Sequence, residues 1–275
     1  MTESQRRWAR FRKNRLAVGA LGVLVVVHVV ALLAPLFAPF NPEQINLLQR
    51  FAPVSPEHPL GNDESGRDVL SRLMYGGRVS LGVGFASVLA AMTIGVALGG
   101  IAGYFGGRVD ALIMRVADGM LSIPLFFFML TALALFGSTL PNLIAAIALT
   151  SWMAVARVIR GEVLSCKTLE YVEAAHAVGA NHLRILWRHI LPQALPSVIV
   201  AATLGVAYAI LTESALSYLG LGVRPPTPSW GNMLSGARSY LWTAPHLAMF
   251  PGLLILLTVL AYNSLGDGLR DALSS

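Results

Sequence analysis

Charge is what this sequence has least of: Asp, Glu, Lys and Arg make up 12% of its 275 residues, against 55% hydrophobic residues. A soluble domain carries about twice that charged fraction. The balance excludes one and predicts an all-α polytopic membrane protein. Cysteine is confined to Cys166, which excludes an internal disulfide, and no Cys/His cluster offers a metal framework. Lysine occurs only as Lys13, after Arg12, and Lys167, after Cys166, never behind a glycine. The G-x-x-x-x-G-K-[ST] phosphate loop is therefore missing, so the chain is expected to be no enzyme and to hydrolyse no ATP itself. Acids and histidines at membrane depth are also scarce. His28 and Glu213 stand far apart, too few for a nucleophile with its base or for the ion sites of a secondary transporter.

Long apolar runs fill the space that charge leaves. Arg6, Arg7, Arg10, Arg12, Lys13 and Arg15 make residues 1–15 a basic segment, and the uncharged stretch behind them predicts a first span at 16–38, ending near Pro35 with no cleavage pattern. Residues 39–78, punctuated by Pro39, Pro42, Pro53, Pro56 and Pro59, read as a structured loop between spans. The five remaining spans fall within 79–266. The second lies between Arg78 and Arg108 and is rich in Gly and Ala, which permit close helix contact in lipid. Arg108 to Asp118 reads as a short loop. The uncharged run from Gly119 to Ala156 is too long for one helix rising about 1.5 Å per residue, and Gly137, Ser138, Thr139 and Pro141 are expected to divide it into a hairpin. Span five follows Pro192 to about Leu221, interrupted by Glu213, and span six lies between Arg238 and Asp267, before a tail at 267–275. Trp230 and Trp242 suit a membrane interface. Six spans place both termini on one side. With the amino terminus inside, 14 of the 20 Lys and Arg fall on the cytoplasmic face, so both termini are expected there.

The region 166–192 is a polar interruption between spans. Tyr171, Ala174, Ala175 and Val178 follow helical spacing on one small-residue face, with Thr168 placed to cap the start and Glu170 in the first turn. Gly179 is expected to end the helix. A second, basic helix carries Leu183, Leu186, Trp187 and Ile190 on one face and Arg184 and Arg188 on another, until Pro192. A face of alanines suits docking into a groove of another protein.

These residues resemble a known signature. Glu173, Ala174, Ala175 and Gly179, with Ile190, Leu191 and Pro192 downstream, look like the E-A-A-x-x-x-G and I-x-L-P elements of bacterial ABC importer permeases, the second one residue tighter here. His58, Pro59, Leu60, Gly61, Asp63, Gly66, Arg67 and Asp68 resemble the H-P-L-G-T-D-x-x-G-R-D segment of the dipeptide and oligopeptide branch, with Asn62 where threonine is usual. The residues alone favour a turn packed on the following helix over a metal site. Glu213 to Gly222 resembles the E-x-x-L-S-F-L-G-L-G element of the same permeases, which points to helix packing for Glu213 more than to cargo reading.

The resemblance implies a type I ABC importer permease fold of about six helices in the bacterial inner membrane. It implies half of a translocation path for dipeptides or oligopeptides, with nickel, glutathione or another small solute as alternative cargo. A secondary transporter is the more distant alternative. The coupling residues would be Tyr171, Glu173, Ala174, Ala175, Val178, Gly179, Ile190, Leu191 and Pro192. The partners implied are a second, similar permease forming a heterodimer, two ATPase subunits or domains, an extracytoplasmic binding protein and the lipid membrane, without nucleic acid. No cofactor is expected on this chain, ATP and magnesium belonging to the partner subunits.

Overall fold

The computed structural model describes residues 3–273 and contains, among them, helices and loops but no strand; one isolated bridge joins Asn62 to Asp68. Helix α1 (Glu3–Lys13) carries the basic segment and turns at Asn14, whose side chain caps α2 (Arg15–Leu32). Phe11 anchors α1 by packing with Ala17 and Ala272. A short α3 (Ala34–Phe37) with Pro35 in its first turn ends the first span.

Helix α4 (Val69–Phe105) is the longest and most central, packing on α7 (Leu140–Cys166), α10 (Leu195–Tyr218) and α2. It begins at Val69 and not beyond Arg78, because Asp68 caps it by accepting from the Ser71 amide at 2.8 Å. Its polar first turns are buried under the preceding loop. Small residues let it approach α7 closely: a methyl group at Gly95 would lie 2.5 Å from Val155, one at Gly103 2.9 Å from the Arg160 carbonyl, and one at Gly99 would strike the Ala156 backbone.

The expected loop from Arg108 to Asp118 is instead a helix, α5 (Gly107–Leu121). Its charges recur at helical spacing, and Asp110 and Asp118 pair with Arg160 and Arg157 of α7. The uncharged run therefore breaks twice. Before Gly137, which takes φ +89°, the chain already bends by 83° at Ser122 to Pro124, where proline's missing amide ends the ladder. Where the third span is expected stands the bent pair of α5 and α6 (Leu125–Phe136). Among the described residues five single helices are long and apolar enough to cross a membrane, or six if this bent pair is one span.

Helix α11 (Trp230–Ala237) folds back into the bundle, against the expectation of an interfacial Trp230. Trp230 is buried, and its indole donates to the Leu73 carbonyl at 3.0 Å, a satisfied N–H that allows so large a ring inside. Trp242 is fully exposed. Helix α12 (His246–Leu273) closes the bundle on α10 and α2. His28 faces a partner helix: its Nε2 lies 3.1 Å from the Tyr262 hydroxyl and its Nδ1 2.7 Å from the Leu24 carbonyl.

Candidate functional site

The region between α7 and α10 forms a short helical element at one end of the bundle. Helix α8 (Glu170–Ala177) starts at Leu169, which makes no side-chain cap; Thr168 instead turns back to the Ser165 carbonyl. Val172 and Ala175 face inward, 1% and 8% exposed, and join the main core. Tyr171, Glu173, Ala174 and Val178 face outward, Val178 at 83% exposure. Ala175 thus anchors the helix to its own protein, and the outward face is narrower than helical spacing alone suggests. Partial desolvation of the Tyr171 hydroxyl, with Cys166 beside it, raises its pKa above the ordinary phenol value.

The helix ends in a Schellman arrangement. The Ala180 amide donates to the Ala175 carbonyl at 3.1 Å and the Gly179 amide to the His176 carbonyl at 3.0 Å, with Gly179 at φ +77°. A side chain on Gly179 would meet nothing within 4 Å, so the turn needs glycine for its backbone angle and not for space.

Asn181 then caps α9 (His182–Ile185), accepting from the Arg184 amide at 2.7 Å. The chain runs on through a wide π turn at Leu186–Ile190 and a tight turn at Leu191–Ala194 directly into α10, so the expected separate basic helix is the opening of span five. The wide turn shifts the register. Ile185, Leu186, Ile190 and Leu191 are buried, while Leu183 and Trp187, expected to share one face with Leu186 and Ile190, are 59% and 52% exposed. Pro192 is exposed. Leu186 and Leu191 sit against Gly100 of α4.

Contacts that the sequence did not reveal fasten this element to α4. The Tyr104 hydroxyl lies 2.9 Å from Nδ1 of His182 and 3.4 Å from Nε2 of His176, bridging both sides of the Gly179 turn. Lys167 donates to the Gly103 carbonyl at 3.3 Å. Arg160 holds Asp110 through two hydrogen bonds, one of 2.6 Å, so α7, α5, α4 and α8 meet at one end. Aromatic and histidine residues far apart in sequence leave no local periodic signal, so only the fold brings them together.

At the opposite end of α4 the loop before Val69 is a built turn. His58 shares a 2.9 Å hydrogen bond with Asp68, Asp63 accepts from the Arg67 guanidinium at 2.7 Å and from the Ser65 amide at 2.8 Å, and Arg67 also reaches Glu64. Gly61 and Gly66 both take φ +72°, and a methyl on Gly66 would collide with Asn46. Pro59 and Leu60 sit in the same turn, which packs on α4 as the residues suggest.

Glu213 of α10 is wholly buried. It accepts from Ser80 of α4 at 2.9 Å and from Ser217 at 2.6 Å. Ser80 also accepts from the Trp230 amide at 3.2 Å, and Ser217 from the Val223 amide at 2.9 Å. The carboxylate thus ties α4, α10 and the α11 turn together inside one chain.

Among the described residues, a strand-free bundle of long apolar helices, with the short helix α8 between α7 and α10 at one end, defines a multi-pass membrane protein. The comparisons give its family. Residues 95–275 match the model described as "Binding-protein-dependent transport system inner membrane component", and residues 2–53 that of the "N-terminal TM domain of oligopeptide transport permease C". The chain is 43% identical over 267 residues to the glutathione transport system permease protein GsiD of Pectobacterium atrosepticum, covering 97% of this chain and 89% of that one. It is 40% identical over 274 residues to the dipeptide transport system permease protein DppC of Bacillus subtilis, with 99% and 86% covered. With the nickel transport system permease protein NikC of Escherichia coli it shares 42% over 257 residues, 92% of each chain. The chain belongs to the family of inner membrane components of binding-protein-dependent transport systems. It is an ABC importer permease subunit, a multi-pass inner membrane protein that works with a substrate-binding protein and with ATP hydrolysis on a separate subunit.

Proposed function

We propose that this chain forms one half of the translocation path of an importer for small peptides, paired with a second, similar permease as a heterodimer. In this reading α8 lies on the cytoplasmic side together with both termini. Its outward residues Tyr171, Glu173, Ala174 and Val178 enter a cleft of an ATPase subunit, and ATP and magnesium are bound there and not here. The observation that carries the reading is the construction of α8: two short turns, pinned inward by Val172 and Ala175 and closed by Gly179, that present a small face at the end of the bundle remote from the His58 to Asp68 turn. Such a helix transmits a push because its inner face is continuous with the core. The peptide cargo rests on the resemblance of the His58 to Asp68 turn to the peptide branch; relatives named for glutathione and nickel mark the range of alternatives.

The test is reconstitution of the chain with its sister permease, ATPase and binding protein. ATP turnover is expected to rise when peptide-loaded binding protein is added, and labelled peptide to accumulate on the side bearing α8. Turnover indifferent to binding protein would overturn the importer reading. Turnover stimulated only by a nickel- or glutathione-loaded protein would overturn the peptide assignment alone.

A further inference from the structure

A groove of about 980 Å³ opens at the end of the bundle remote from α8. Its position follows from α4, whose last turn holds Tyr104 against the α8 region while its first turns, with Tyr75 and Arg78, line the groove. Opposite them runs the segment after α3, including Pro39 and Glu43, and the sides are closed by Leu140 of α7 and by Thr227. The volume is ample for a ligand of a few residues.

The charges in the groove are few. Among the described residues that line it, Arg78 and Glu43 are the only charged ones, and neither makes an ion pair. Arg78 lies over the Tyr75 ring at 5.8 Å, a contact that orients the guanidinium without neutralising it. Glu43 receives one long hydrogen bond, 3.5 Å from the Thr227 hydroxyl, and feels Arg72 behind it. Arg72 is itself committed, to the Pro42 carbonyl at 2.9 Å and to Asp63 at 3.4 Å. The wall bearing Glu43 is held in place: the Phe40 amide donates to Ser71 at 3.1 Å and the Glu43 amide to Asn41 at 2.9 Å. One cation oriented by Tyr75 and one anion within reach of the Thr227 hydroxyl, neither in an ion pair, share a single concavity and are complementary to a ligand carrying both charges. A bare divalent cation would find one carboxylate and a repelling guanidinium there, and no group of three or more His, Cys, Asp or Glu that could hold a metal occurs among the described residues.

We propose that this groove is an entry site for zwitterionic cargo, with Arg78 receiving a free α-carboxylate, Glu43 a free α-ammonium, and the apolar wall around Leu140 the chain between them. The proposal rests on the importer reading and names the chemistry its path would select. Both charged contacts are made by ligand termini, so side-chain identity matters little.

The test uses the assembled importer in nanodiscs, labelled without binding protein, with ATP turnover measured in parallel with and without it. A tritiated tripeptide, alanyl-p-benzoylphenylalanyl-alanine, is photolysed and the label on this chain counted, with trialanine, N-acetyl-trialanine and trialanine amide as competitors. Trialanine is expected to compete about tenfold better than either blocked form, the loss of one charged hydrogen bond. Glu43→Gln should erase the penalty of acetylation alone and Arg78→Gln that of amidation alone, while Arg78→Lys keeps part of the carboxylate preference. This crossed pattern reads the two ends separately and a general folding defect would not produce it. Equal competition by all three peptides, or variants that lower labelling without changing the competitor order, would overturn the site. If Glu43 and Arg78 instead dock a partner protein, both Gln variants will lose binding-protein-stimulated ATP turnover with the competitor order unchanged, which also overturns it. Stimulated turnover without labelling of this chain sinks the zwitterion site and leaves the importer standing. Absence of stimulation in the wild-type complex sinks the importer reading.

Discussion

Gly179→Val isolates what the turn after α8 contributes. At φ +77° a residue with a Cβ pays a left-handed backbone penalty of about 1–2 kcal/mol, and a β-branched one about 1–3 kcal/mol. A Cβ there meets nothing within 4 Å, so the backbone angle is the main cost. The penalty is relieved only by opening the Schellman bonds to Ala175 and His176, which frees the end of α8. Two kcal/mol is about a 30-fold change in the population of the docked geometry, yet it is small against the burial that holds six spans together. Insertion and pairing with a sister permease should therefore survive, while ATPase retention after detergent washing and peptide uptake fall by roughly that factor. Gly179→Asn supplies the control, since asparagine enters the left-handed region readily and should recover most of the loss. Normal uptake by the valine variant, or an asparagine variant as poor as valine, would refute the reasoning.

Ala174→Leu and Ala175→Leu should separate docking from folding: the first, on the exposed face, is expected to weaken ATPase recruitment at unchanged thermal stability, and the second, inside the core, to lower stability by about 1–3 kcal/mol. Equal melting temperatures for the two would contradict the assigned faces. Glu213→Gln places an amide donor among serine hydroxyls that already donate to the carboxylate, so about 1–3 kcal/mol of stability should be lost through an unmatched donor; a shift in cargo preference with normal assembly would show that Glu213 is no packing residue. Tyr104→Phe removes the hydroxyl shared by His176 and His182, and is expected to uncouple ATP turnover from binding protein severalfold with little change in assembly. Stimulation as in wild type would exclude a positioning role. Gly99→Val should cost the most, because its side chain would meet the Ala156 backbone, and loss of expressed complex is the readout; a well-folded variant would mean that α4 and α7 are not closely packed.

What the sequence made legible was whatever has a local signature. Apolar length revealed most spans, and the glycine turn at Gly179 and the turns at Gly61 and Gly66 followed from residues that tolerate positive φ. Helix α5 was hidden because Arg108, Asp110, Arg115 and Asp118 read as loop charge until partners on α7 are known. The inward turn of Ala175 and the exposure of Leu183 depend on which side of each short helix meets the core, and the π turn at Leu186–Ile190 shifts a register that an ideal period cannot anticipate. Trp230 looked interfacial because an indole is at home there. Only the fold supplies the Leu73 carbonyl that satisfies it inside.

The arrangement of α4 explains how two distant sites can belong to one device. A helix of this length spans about 55 Å at about 1.5 Å per residue, and its ends carry different attachments: Tyr104 to the α8 element, Tyr75 and Arg78 to the groove. Between them Gly95, Gly99 and Gly103 lie against the backbone or core side chains of α7, so the two helices have no room to slide or roll independently. Close-packed interiors move as units. In the proposed importer a displacement of α8 would reach the groove as a tilt of the α4 and α7 pair. Glu213, joined to Ser80 of α4 and through Ser80 to the Trp230 amide of α11, ties α10 and α11 to that pair.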